Sequence, residues 1–192
     1  MGTEVEKKIT YFEKKGSVNT DRTLEIALAA CEDRKIKKIV VASSTGETAL
    51  KLYEKAGWDM EIIAVTYSAG SRFADEVEQF LKNRELMIEK GIQIVRGMHA
   101  LSATERGFEN KYKNKMTPLN IVSDTLRMFS HGVKVCVEVS IMAAEAGFVT
   151  PDEDVVVIAG SGGGADTAAV LKPAYAAGMF ETKFRALLCM PV

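Results

Sequence analysis

The chain has few of the residues from which metal centres and disulfide frameworks are built, with three cysteines and two histidines among 192 residues. Cys31, Cys136 and Cys189 are odd in number, far apart and never spaced as Cys-x-x-Cys. That argues against a zinc site and a disulfide framework and leaves them as core thiols. His99 and His131 are isolated, with no His-Glu-x-x-His and no carboxylate cluster at ligand spacing, so no metal is expected. No Gly-x-Ser-x-Gly elbow nominates a nucleophile, and hydrolase chemistry is not indicated. Neither sign of charge dominates, Lys plus Arg numbering 25 against 26 for Asp plus Glu. Nucleic acid and membrane surfaces are therefore not expected as partners. The uncharged stretch from Ile141 is soon broken by Glu145, and MGTEVEKK carries no apolar core of the kind a signal peptide needs. The expected location is the cytoplasm.

What the chain does have is 47% hydrophobic residues, enough for one generous domain spanning residues 1–192. Short runs rich in Val and Ile alternate with helix-period segments, the pattern of strands covered on both faces by helices, so the fold class is α/β. The clearest strands are Lys38 to Ala42, Glu61 to Tyr67, Ile92 to Arg96 and Asp154 to Ala159, read as parallel. Helices are expected at about Arg22 to Asp33, Thr45 to Lys55, Asp75 to Lys90 and Pro118 to Phe129, the last opened by Thr117 and Pro118. In Val133 to Val139 the valines alternate as in a strand, yet Lys134, Glu138 and Glu145 share one helical face, and helix is chosen. Ala165 to Lys172 is read as a strand, because Pro173 favours extended geometry before it. Phe184 to Met190 reads as a last, antiparallel strand at a sheet edge.

The stretch Ile39 to Ala49, IVVASSTGETA, looks like a buried strand running into a hydroxyl-rich turn that opens a helix. Ser43, Ser44, Thr45 and Thr48 offer hydroxyls, Gly46 lets a ligand approach the backbone, and a helix start presents unpaired amides to a phosphate. The plainer reading is a capping box of Ser44 and Glu47. In open α/β sheets, ligands bind beyond the carboxyl ends of the strands. That rule gathers the turn with Ser68 to Phe73 (SAGSRF), Gly97 to Ser102 (GMHALS) and the glycine-rich Gly160 to Asp166 (GSGGGAD). Ala42-Ser-Ser-Thr-Gly is weakly echoed by Ala159-Gly-Ser-Gly-Gly, and two such turns could face one ligand. Gly160, Gly162 and Ala165 satisfy G-x-G-x-x-A, but the strand expected after them conflicts with a dinucleotide fingerprint, which needs a helix. Arg72, Arg96, Arg106 and Arg127 are the cationic candidates, and Tyr67, Phe73, Met98 and His99 could offer a wall to a ring. Glu47 and Asp166 read equally as cap and turn residues, and the lone Trp58 reads as packing.

On these residues the chain resembles a known family. IVVASSTGETA is similar to the phosphate-binding turn of the pyruvate kinase C-terminal domain, which takes the sugar-bisphosphate effector in many of those enzymes. Over nearly its whole length, through NTDRTLEIA, HALSATERG, DTLRMFSHGVKVCVEVSIMAAEAG and GADTAAVLKPA, it resembles stand-alone pyruvate kinase C-terminal-domain-like proteins of archaea and bacteria. The resemblance implies a three-layer α/β/α domain on a five-stranded, mostly parallel sheet. It also implies that the chain is not a pyruvate kinase, whose chemistry sits in a (β/α)₈ barrel of about 250 residues. Those proteins have no defined activity but are associated with FMN. The expected ligand-binding set is Ser43, Ser44, Thr45, Gly46, Thr48, Tyr67, Ser68, His99, Gly160, Ser161 and Gly162, the phosphate on the Ser43 to Thr48 turn and the ring against the Tyr67 or His99 loops. The leading expectation is a phosphate-ligand-binding protein holding FMN, with flavin-dependent oxidoreductase chemistry open and no residue nominated as catalytic. The alternatives are a non-catalytic sensor for a phosphorylated metabolite and a nicotinamide enzyme using the Gly160 loop. A homo-oligomer is one option, through the Ala-rich segment near Ile141.

Overall fold

The computed structural model describes residues 4, 6–70, 74–113 and 116–192, and the backbone alone for 74–77. Seven strands form one sheet: β1 (Thr10–Phe12), β2 (Lys38–Ala42), β3 (Glu61–Thr66), β4 (Gln93–Arg96), β5 (Val155–Ala159), β6 (Thr167–Lys172) and β7 (Lys183–Pro191), ordered β1-β7-β6-β5-β2-β3-β4. The helices are α1 (Thr20–Arg34), α2 (Glu47–Ala56), α3 (Ala74–Glu89), α4 (Glu105–Tyr112), α5 (Pro118–Arg127) and α6 (His131–Glu145). β2, β3, β4 and β5 pair in parallel, as their continuous apolar runs require for strands covered on both faces. β6 runs antiparallel to both β5 and β7.

Alternation along each strand sorts the core into two layers. Ile39, Val41, Ile62, Ala64, Val156 and Ile158 face α1, α2 and α3 through Leu24, Ala27, Leu52, Phe80 and Met87. Val40, Ile63, Val155 and Val157 face the other way, onto Cys136, Val139, Met142 and Ala143 of α6. Leu101, Val137 and Ile141 add a smaller cluster under α5. Burying near-complete Val, Leu and Ile side chains contributes about 2 kcal/mol each, so the two layers together dominate stability. The segment from Val133 is a helix, as its charged face implies, and Ala165 to Lys172 carries a strand. Thr117 caps α5 by accepting from Asn120 N at 3.3 Å, with Pro118 at the first helical position.

Three expectations, on the strand count, the last strand and Trp58, are corrected. The sheet has seven strands rather than five, because β1 and β7 extend it beyond β6. β7 is antiparallel to β6 but is no edge, since β1 pairs with its outer side in parallel. Trp58 is 87% exposed and packs on nothing that buries it. The Ala-rich segment near Ile141 is covered within the chain, so its apolar character is accounted for by packing on the sheet and α5. Cys31, Cys136 and Cys189 are buried free thiols; burial pushes Cys31 up to about 12 and Cys189 to about 11, and holds Cys136 well above its usual range. Such thiols are poor nucleophiles. Among the described residues no helix is long and apolar enough to cross a membrane.

α6 enters the fold so closely that a Cβ on Gly132 would land on the Thr167 side chain. Gly132→Ala is expected to cost about 1–3 kcal/mol through overpacking, read as a lower urea midpoint at unchanged slope.

Candidate functional site

From β2 the chain adds β3 and β4 on one side and then returns to place β5 on the other, so strand order reverses between β2 and β5. Open α/β sheets leave a crevice at such a reversal, beyond the strand carboxyl ends. A cleft of about 620 Å³ lies there. Because Val41 is in register with Ile158, the Ser43 and Gly160 loops leave the sheet side by side.

The Ser43 loop is held from below. Ser43 N–H donates to Val65 O at 2.9 Å, Thr66 Oγ1 to Ser44 O at 2.9 Å, and Asn83 Nδ2 to Thr45 O at 2.8 Å. No Ser44–Glu47 capping box forms. Gly46, at φ 88°, is the N-cap, and the first-turn amide of Ala49 donates instead to Ser43 Oγ at 3.2 Å. The left-handed turn at Gly46 brings Ser43 within reach of the helix end and turns Glu47 away, to accept from Gln79.

The glycine-rich loop is fixed at its base by Asp166, which is fully buried. One carboxylate oxygen accepts from Gly16 N–H at 2.7 Å and Ser161 N–H at 3.2 Å, the other from Thr167 Oγ1 at 2.8 Å. Thr20 Oγ1 accepts from Ala165 N–H at 3.0 Å, which ties the loop to the start of α1. Gly162, Gly163 and Gly164 all have positive φ, and their N–H groups donate to no acceptor among the described residues. Successive amides in such a conformation form a concavity suited to an anion. β6 follows with no intervening helix, so the G-x-G-x-x-A match lacks the context of a dinucleotide fingerprint.

The opposite wall belongs to α6 and the His99 loop. Lys134 and Glu138 are each 3% exposed, with Lys134 Nζ donating to Glu138 Oε2 at 2.6 Å. Glu138 Oε1 also accepts from Leu101 N–H at 3.1 Å and Ser102 Oγ at 3.2 Å, and His99 Nδ1 lies 3.4 Å from Oε2. That carboxylate therefore sets the course of the loop carrying His99, whose ring centre is 5.8 Å from that of Tyr67. Burial alone would raise the pKa of Glu138, but His99 and Lys134 outweigh it and hold it at about 2. The two partners fare unequally. Lys134 is pulled below its usual value by burial, since Glu138 alone offsets the loss of water and Arg127 and Arg106 add repulsion. His131, exposed at the rim, is lowered by partial desolvation and then by Arg127 and Lys134.

Ser43, Ser44, Thr45, Thr48, Tyr67, His99, Gly160 and Gly162 from the expected set line this one cleft, together with Arg106 and Arg127. Gly46, Ser68, Ser161, Arg96 and Met98 do not line it; Gly46 and Ser161 instead shape its loops. Arg72 and Phe73 lie outside the described residues. Sequence reading passed over Lys51, Lys134, Glu138 and His131 as cleft residues; two opposite charges four apart among the valines of α6 were the available signal for the buried pair. Lys51 is partly engaged, its Nζ 2.7 Å from Asp21 Oδ2.

The family model for the pyruvate kinase alpha/beta domain matches residues 21–171, from the first turn of α1 to the end of β6. The chain belongs to that family. The matched span of the pyruvate kinase alpha/beta domain contains β2 to β6, five strands, while β1 and β7 lie outside it. The two-strand extension thus accounts for the difference between the expected sheet and the observed one. Both cleft-forming loops fall inside the match, whereas Gly16 and Thr20, which brace the glycine loop, precede it.

A carboxylate whose folded pKa is depressed stabilises the fold above its unfolded pKa and loses that contribution as pH falls through the folded value. For Glu138, with an ordinary value of 4.5 and a folded value of about 2, the loss runs from about pH 5 down to 2. It amounts to about 3 kcal/mol. In urea unfolding across this range, Glu138→Gln is expected to be less stable than the parent at pH 7, with the gap narrowing as the solution is acidified.

Proposed function

We propose that the cleft binds a phosphate-bearing small molecule, and that FMN, to which the family resemblance points, is that ligand. The observation that carries the reading is the pairing of two anion-suited loops on adjacent parallel strands: the start of α2 after β2, and the unpartnered Gly162–Gly164 amides after β5. A cleft of about 620 Å³ falls within the size range of small-molecule and cofactor sites. The residues present fit FMN: Ser44, Thr45 and Thr48 with the glycine amides would hold its phosphate, and the Tyr67–His99 pair supplies a partly flat wall for its ring. Bound there, FMN would supply hydride or electron transfer, with the chain supplying position and electrostatics. Pyruvate kinase chemistry is not part of the proposal, because the described residues form one open sheet and no barrel. A metabolite sensor is the second reading, favoured by the several cations that line the cleft.

Titration of FMN, riboflavin and sugar phosphates, followed by flavin fluorescence and calorimetry, decides between the readings. FMN is expected to bind more tightly than riboflavin, which lacks the phosphate. Thr45→Val with Thr48→Val is expected to weaken FMN about tenfold or more through lost hydrogen bonds to a charged group. Saturable sugar-phosphate binding without flavin binding would establish the sensor, and silence with every phosphate compound would overturn both.

A further inference from the structure

We propose that the cleft has a second anion-binding pole, built around Lys134 with Arg106 and Arg127, which makes it hold a phosphate compound bearing a carboxylate at its far end more tightly than the same compound without one. The inference rests on the reading of the cleft as a phosphate-ligand site. Lys134 is an ammonium 3% exposed, yet among the described residues Glu138 is the sole acceptor for its three N–H donors. A buried ammonium with unused donors is costly unless something accepts from it, and this one lines the cleft. Glu138 matches the charge of the ammonium but accepts from it through Oε2 alone, while its Oε1 accepts from Leu101 N–H and Ser102 Oγ, so the other ammonium donors are left for a ligand.

The surroundings add positive charge. Arg106 and Arg127 line the same cleft and raise the electrostatic cost of a charged Lys134. Arg127 is paired with Asp124, which is exposed and weakly neutralising, and Arg106 has no ion pair among the described residues. The first turn of α6, which carries Lys134, contains no acidic residue to offset the positive end of its dipole. α2 packs on one face of the sheet and α6 on the other, so this pole faces the Ser43–Thr48 turn across the sheet edge. A phosphate on the turn leaves these cations for a different group on the same molecule. A carboxylate suits them, because guanidinium forks and an ammonium can engage its two oxygens together.

Calorimetric titration of matched pairs tests this: glycerol 3-phosphate against 3-phosphoglycerate, and sorbitol 6-phosphate against 6-phosphogluconate. Within each pair the partners differ by a terminal carboxylate. At least one acid is expected to bind about tenfold or more tightly than its alcohol. Arg106→Gln and Arg127→Gln should each shrink that ratio, weakening the acid by a larger factor than the alcohol. Lys134→Met should abolish the ratio, provided the variant retains the parent circular dichroism spectrum, and the two arginine variants carry the test if it does not. Lys183→Gln, on β7, should leave the ratio as in the parent. Equal affinities within both pairs, or a ratio indifferent to the arginine variants, would overturn the second pole while FMN or phosphate binding stood. Failure of every phosphate compound and of FMN to bind would instead remove the phosphate site on which it rests.

Discussion

The Asp166 carboxylate is the point on which the cleft side of this molecule depends. It sits fully buried where the sheet changes from parallel to antiparallel, and it accepts hydrogen bonds from three separate places: Gly16 before α1, Ser161 in the glycine loop and Thr167 at the start of β6. A carboxylate taken out of water must find donors, and the nearest supply is backbone amide. Meeting that demand draws the segment ahead of α1 against the glycine loop and fixes where β6 begins. The position of α6 follows, since Gly132 lies against Thr167 with no room for a side chain. Lys134 and Glu138 reach the cleft because α6 starts there.

Glu138 repeats the same logic on the opposite wall. One buried carboxylate collects a lysine, a histidine, a hydroxyl and a backbone amide, and so gives the loop after β4 its shape. Replacing such a cluster with apolar side chains is often harmless to stability, whereas deleting one partner is costly. At the cleft wall this cluster also fixes where His99 and Lys134 stand, beyond simple cohesion.

Much of the fold was legible in the sequence. The parallel strands announced themselves as runs of Val and Ile, Pro173 marked the extended segment before it, and Thr117–Pro118 marked a helix start. Local chemistry decides those features. The misreadings involve partners far away in the chain. β1 is three residues long and exists through pairing with β7, so nothing in Thr10–Phe12 alone signals it, and β7 seemed an edge for want of it. Ser44 and Glu47 have the spacing of a capping box, but Gly46 adopts a left-handed conformation that hands the cap to Ser43. The loops of the site could be gathered from the strand-end rule, whereas the Lys134–Glu138 pair has the same spacing as any exposed ion pair, and its burial comes from what packs over α6.

The two loops differ in how they would meet a ligand. At Gly46 an added methyl would sit 3.0 Å from both Asn83 Cβ and Met87 Cε, so α3 backs the serine turn and leaves it no room to recoil. Around Gly162 and Gly163 there is no such neighbour within 4 Å. The serine turn is braced along its length, whereas the glycine loop is packed at Gly160 and Gly164 and open only at its tip. A group meeting both would find a preorganised surface that costs little ordering entropy, and the open tip sets where added bulk is tolerated.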